Sequence, residues 1–99
     1  MVIVNPAVAG TLESSDVQVT VEPGEGDVVI DLSSSVMNRY GRRILEVVRE
    51  TLDRLEVRSG RFTVVDRGAL DATIKARVEC AVFRANGQTD AVPWGGSVR

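Results

Sequence analysis

Asp16-Val17-Gln18-Val19-Thr20-Val21-Glu22 alternates without a break, with three valines on one face and Asp16, Gln18, Thr20 and Glu22 on the other. A period of two is the signature of a strand with one buried face. Upstream, the apolar run Ala7 to Leu12 follows Pro6 and predicts a first strand, with a turn at Ser14-Ser15. Downstream, Pro23-Gly24-Glu25-Gly26 is a dense turn signal. A third strand is expected over Val28 to Ser33, with Val28, Ile30 and Leu32 on one face. Two consecutive hairpins are the economical reading of these three strands.

The period then changes from two to 3.6. Met37, Tyr40, Ile44, Val47, Val48, Leu52 and Leu55 recur at helical spacing, and Ser34 or Ser35 could cap the helix. Its outer face is charged: Arg39, Arg42, Arg43, Glu46, Arg49, Glu50, Asp53 and Arg54. A fourth strand is expected over Arg61 to Val65. A second helix follows from about Ala69 to Ala85, with Leu70, Ile74, Val78, Ala81 and Val82 as its apolar stripe. Asn86-Gly87 suits its end, because both residues tolerate the left-handed conformation there. Arg77 and Arg84 lie toward that end, where cations favour the helix dipole. The tail 88–99 reads as irregular, with Trp94 anchored either on the domain or on a partner. The expected fold is α+β, one small domain spanning 1–99 in the order β-β-β-α-β-α. Its sheet is antiparallel or mixed, with both helices on one face.

Composition limits the chemistry. The chain of 99 residues contains no histidine, which removes the commonest general base and metal ligand together. Histidine-based triads, Cys-His pairs and His-ligated zinc are therefore impossible. Cys80 is alone, so it forms no internal disulfide, and it reads as a small buried hydrophobe in the second helix. Gly24-Glu25-Gly26 begins like a nucleotide fingerprint, but no third glycine follows. No signal peptide and no membrane-length apolar run is found, so a soluble, cytoplasmic protein is expected.

Charge is unevenly spread. Residues 1–35 hold six acids and no Lys or Arg, whereas the rest sets twelve basic residues against eight acids, a balance of +4. The acidic end is either a solvated surface or a steering surface for basic partners. Nucleic-acid binding is disfavoured, because the arginines are interleaved with acids.

With the usual catalytic groups missing, the candidate site is the acid-flanked serine turn Glu13-Ser14-Ser15-Asp16. On spacing alone, a serine there is simply a turn residue. The longer run Pro6-Ala7-Val8-Ala9-Gly10-Thr11-Leu12-Glu13-Ser14, with Asp16-Val17 after it, resembles the N-terminal signature of citrate lyase acyl carrier proteins (gamma chains). The likeness continues at Ser34-Ser35-Val36, Val57-Arg58, Asp66-Arg67-Gly68-Ala69-Leu70-Asp71, Ala76-Arg77, Ala85-Asn86-Gly87 and Pro93-Trp94. It spans almost the whole chain in register.

The resemblance implies a carrier without a catalytic site of its own. Ser14 would bear 2′-(5″-phosphoribosyl)-3′-dephospho-coenzyme A through a phosphodiester, attached by a prosthetic-group transferase. The arm's thiol would hold acetyl and citryl thioesters for two partners, the alpha (acyl transferase) and beta (citryl lyase) subunits. Citrate would thereby be cleaved to oxaloacetate and acetate. No metal, nucleic acid or membrane enters this reading. One departure is Ser15, where the family commonly has glycine, which would suit a positive φ. The register of Glu13 and Asp16 still selects Ser14. The carriers of malonate decarboxylase and citramalate lyase are the related alternatives. An unmodified α+β interaction module is the alternative of another class. Ser33-Ser34-Ser35 reads as helix capping rather than as a second attachment site.

Overall fold

The computed structural model describes residues 1–87, apart from the side chains of residues 37 and 38. The readings of the tail, of Trp94 and of Met37 as a stripe residue lie outside what is described. Six elements follow in order: β1 (Ala7–Gly10), β2 (Val17–Glu22), β3 (Val28–Ser34), α1 (Met37–Arg54), β4 (Gly60–Asp66) and α2 (Asp71–Asn86). The α+β class and the element order are those expected from the sequence.

The sheet is mixed, in the order β1-β2-β4-β3. β1 pairs antiparallel with β2, so the hairpin turning at Ser14-Ser15 forms as expected. The second hairpin does not form. β4 lies between β2 and β3, antiparallel to the first and parallel to the second. The physical reason is burial. β4 carries Phe62 and Val64, both wholly enclosed, and takes two neighbours, whereas β3 exposes Val29, Asp31 and Ser33 and suits an edge. Pro23-Gly24 bends the chain, but it bends it past the start of β4. A Cβ on Gly24 would lie 3.3 Å from the Cα of Gly60, so the backbones pass closely there. A local turn signal cannot report that a strand more than thirty residues away inserts beside it.

One face of the sheet is apolar in rows across the strands. Val21, Phe62 and Ile30 form one row, and Ala9, Val19, Val64 and Leu32 form the next. The third row is Val17, Asp66 and Ser34, the polar end of the same face. Both helices pack on this face. α1 contributes Ile44, Val47, Val48 and Leu52, and α2 contributes Ile74, Val78, Ala81, Val82 and Ala85. Each enclosed valine or isoleucine contributes roughly 1.5–3 kcal/mol relative to exposure. Thr51 is the buried hydroxyl of α1, and it donates to the Val47 carbonyl at 2.7 Å.

Three helix readings change. Neither serine caps α1: its N-cap is Val36, which makes no side-chain cap. Ser34 is drawn instead to Asp66, which is only 1% exposed and needs donors. The Ser34 hydroxyl donates to Asp66 Oδ2 at 2.8 Å, and the amides of Gly68 and Ala69 donate at 3.0 Å each. α2 starts at Asp71 rather than near Ala69, so Leu70 is its N-cap and not part of the stripe. Tyr40 is half exposed rather than core. At the far end, Gly87 takes the left-handed conformation that ends α2, as the sequence suggests. The Ala85 carbonyl there accepts from the amides of Val4 and Asn5, which ties the N-terminal segment to the helix.

Candidate functional site

The loop between β1 and β2 runs from Thr11 to Asp16. Its tip is a four-residue turn closed by the Asp16 amide donating to the Glu13 carbonyl at 3.2 Å. Ser14 is exposed at that tip. Ser15, the third residue of the turn, has φ 66, the positive value that the sequence reading associates with glycine. A serine held there is strained, so the surroundings must fix the turn.

They do so from three directions. The Ser15 amide donates to the Arg67 carbonyl at 2.8 Å, and the Arg67 amide donates to the Asp16 carbonyl at 2.9 Å. The β2–β4 ladder is thus extended beyond the strand ends, up to the residue beside Ser14. Thr11 closes the loop from the β1 side: its hydroxyl donates to Asp16 Oδ2 at 2.7 Å and accepts from the Glu13 amide at 3.2 Å. Arg77 of α2 closes it from below, with Nε on Oδ1 and Nη2 on Oδ2 of Asp16, both at 3.1 Å. The Val17 amide adds a donor to Oδ1 at 2.7 Å. The Thr11 hydrogen bond, the Arg77 guanidinium and the Val17 amide together hold the Asp16 carboxyl down at about 2, against the opposing effect of partial burial.

Gly10 makes this geometry possible. It sits at φ +88, and a Cβ there would fall 1.8 Å from the Val17 carbonyl oxygen. No other residue lets the chain leave β1 so close to β2. This also ends β1 at Gly10 rather than at Leu12.

The sequence reading singled out Ser14, and the structure puts it at an exposed tip on a fixed base. On sequence alone Asp16 is an outward-facing strand residue and one of the six acids of the N-terminal end. Asp16 is instead a clamp, its side chain 14% exposed and bonded to Arg77. The partners that do the clamping, Thr11, the Arg67 carbonyl and Arg77, carry no signal of that role in the sequence. Arg77, by its sequence position a helix-end cation, stands mid-helix beneath the turn. Ser33, Ser34 and Ser35 lie across β4 from the turn, around a polar cleft of about 230 Å³ that Arg67 also lines. Cys80 is half-buried against the core. Among the described residues, no cluster of metal-ligating side chains occurs and no helix is long and apolar enough to cross a membrane.

Known proteins resemble this chain over the same region. The family model described as malonate decarboxylase delta subunit (MdcD) matches residues 4–85. A citrate lyase acyl carrier protein of Streptococcus uberis is 52% identical over 88% of this chain and 86% of its own length. One from Vibrio cholerae is 50% identical over 86% of this chain and 88% of its own. That of Oenococcus oeni is 40% identical over 95% and 97%. In fold, the chain matches a chain in the crystal structure of a Pseudomonas malonate decarboxylase hetero-tetramer in complex with malonate. The TM-score is 0.70 at 22% identity, covering 82% of this chain and 84% of that one.

Proposed function

Because this chain belongs to the citrate lyase acyl carrier protein family, we propose that Ser14 is its attachment point for 2′-(5″-phosphoribosyl)-3′-dephospho-coenzyme A. As a carrier, the chain brings no catalytic site of its own. The observation that supports Ser14 is its exposure at the tip of a turn whose base is bonded to β4 and α2. A transferase needs a reachable hydroxyl, and a fixed base makes its position reproducible. When attached, the arm supplies a thiol that holds an acyl group as a thioester.

In this reading the carrier serves the alpha (acyl transferase) and beta (citryl lyase) subunits of citrate lyase, and a prosthetic-group transferase loads it. The chain's own work is positional. Ser15 and Asp16 keep the turn on the end of β4, so Ser14 projects from one place while the arm reaches different partners. Tethering raises the effective concentration of the acyl group at each partner site. The protein is expected in the cytoplasm, where these partners work.

Intact mass of protein from its own host tests the modification, and peptide mapping tests its position. Ser14→Ala should give a folded protein that is not loaded, whereas Ser15→Ala should still load. A modified peptide at Ser15, or loading that survives Ser14→Ala, would reject the assignment. The description of the matching family model and the likeness to the malonate decarboxylase assembly support a second reading, the carrier of a malonate decarboxylase. Co-purification separates the two: recovery with citrate-cleaving subunits supports the first, and recovery with malonate-decarboxylating subunits supports the second.

A further inference from the structure

A groove of about 630 Å³ opens between the N-terminal half of α1 and the segment that joins β4 to α2. Val36, Tyr40 and Ile44 line one wall, and Gly68, Ala69 and Leu70 the other. The Arg43–Asp71 ion pair, 2.8 Å long, bridges the two walls. The volume falls within the range of sites that hold small organic ligands. Two large side chains stand unusually open to solvent at its mouth, Tyr40 at 50% and Leu70 at 76% exposure.

The groove begins where the serine turn ends. Ser15 is bonded to the Arg67 carbonyl, and Gly68 is the next residue and the first of the groove wall. Along the chain Leu70 is three Cα–Cα steps from Arg67, so the far side of the wall is no more than roughly 11 Å away. A nucleotide-bearing arm on Ser14 has this groove within its reach.

The chemistry of the lining suits one class of ligand. An apolar floor with a half-open tyrosine ring accepts a flat heteroaromatic base, since base–aromatic stacking is favourable and tolerant of geometry. Arg43 is the guanidinium that lines the groove, and Arg67 and Arg39 are the chain neighbours of its lining residues Gly68 and Tyr40, Arg39 with its charge 6.0 Å from the Tyr40 ring centre. Neither Arg67 nor Arg39 makes an ion pair among the described residues.

We propose that the groove between Tyr40 and Leu70 is a resting site for the adenine-nucleotide portion of the carrier's own arm. The inference rests on Ser14 as the attachment point. Docking there covers the apolar mouth between partner visits, and the arm leaves when a partner offers a tighter site. The resting interaction must therefore be weak.

Amide chemical shifts of the loaded and unloaded protein test this, with the arm's position mapped by mass spectrometry in the same samples. The expected result is a set of shift changes at Tyr40, Ile44, Ala69 and Leu70, well beyond the turn itself. Leu70→Asp should erase the distant changes without unfolding the protein, because Asp suits an N-cap whose backbone is already extended. Titrating the unmodified protein with 3′-dephospho-coenzyme A should move the same amides, and Leu70→Asp should weaken that binding roughly tenfold or more. Shift changes confined to residues 12–16, or centred on the cleft of Ser33 and Ser35, overturn the groove assignment. If Leu70→Asp blocks assembly with partner subunits while the loaded protein shows only turn shifts, the groove is a partner surface and the proposal fails. If mapping places the arm elsewhere, the Ser14 reading fails by itself. The titration then decides the groove: saturable shifts at the same amides support it, and their absence overturns it.

Discussion

Arg77 and Asp16, 61 positions apart in the chain, meet through two hydrogen bonds of 3.1 Å, two residues from the exposed Ser14. The pair joins the middle of α2 to the base of the β1–β2 turn. It gives an otherwise ordinary acid-flanked serine turn a fixed position.

Arg77→Ala should therefore disturb loading more than its exposure suggests. It leaves a largely covered carboxylate with Thr11 and the Val17 amide but no counter-ion. We expect a loss of about 1–2 kcal/mol in stability, discounted for the half-open guanidinium. The transferase reaction should slow by roughly tenfold, since small displacements of a reacting group are costly. Arg77→Lys should recover stability better than loading, because Lys cannot make the two-bond fork. Urea unfolding and the rate of mass gain with the transferase measure both. Equal loading by wild type and Arg77→Ala would show that the clamp does not position Ser14.

Acid should expose the same clamp. Asp16 titrates at about 2 in the folded chain, against 3.8 for an ordinary aspartate. A carboxyl whose folded value is depressed contributes stability that is fully present above the unfolded value and is lost as pH falls through the folded one. The window therefore runs from about pH 5 down to about pH 2, with a total near 2 kcal/mol. Asp16→Asn should be less stable than wild type at pH 7, and the gap should shrink as the window is crossed. Unfolding free energies at pH 7, 4 and 2.5 test it; a gap that is constant with pH would remove Asp16 from the account.

The strands and helices were legible because each carries its own period. Val17, Val19 and Val21 announce β2 without any partner, and Ile44, Val47, Val48 and Leu52 do the same for α1. What was not legible is whatever depends on a distant residue. The insertion of β4 between β2 and β3 leaves no mark at Pro23-Gly24, which would bend a hairpin equally well. Ser34 has the look of a cap, yet the demand of buried Asp66 for donors is stronger. Asp16 alternates correctly with Val17 as an outward strand residue, but Arg77 reaches it from another element. Ser14 itself is marked by a family-like motif rather than by any periodicity. The positive φ at Ser15 fits the glycine that the motif commonly holds there.

Gly10 should be among the least replaceable residues of the loop. Alanine would meet the Val17 carbonyl at 1.8 Å in a backbone already at φ +88, so the strands must separate or the loop must refold. We expect Gly10→Ala to cost at least about 2 kcal/mol and to broaden or shift the Thr11–Val17 amides. An unchanged melting temperature would mean that β1 can leave β2 by another path.

Charge steering of the partner encounter should depend on Glu13 and not on Asp16. Six acids and no bases precede Val36, and Glu13 and Asp16 flank the serine, which made both natural candidates for attracting a basic partner. The structure separates them. Asp16 is neutralised by Arg77, whereas Glu13 is exposed and makes no ion pair among the described residues. An exposed charge acts mainly on encounter, and salt screens it over about 8–10 Å at physiological strength. Glu13→Gln should thus slow loading by roughly two- to threefold at low salt, with the difference vanishing near 0.5 M. Its stability should be unchanged within about 0.5 kcal/mol, as for most surface substitutions. Asp16→Asn should do the reverse, lowering stability while keeping the wild-type slope of loading rate against salt. Loading rates across a salt series for the three proteins decide the matter. If Glu13→Gln keeps the wild-type slope, the acidic end is a solvated surface, and recognition lies in the apolar and turn residues alone.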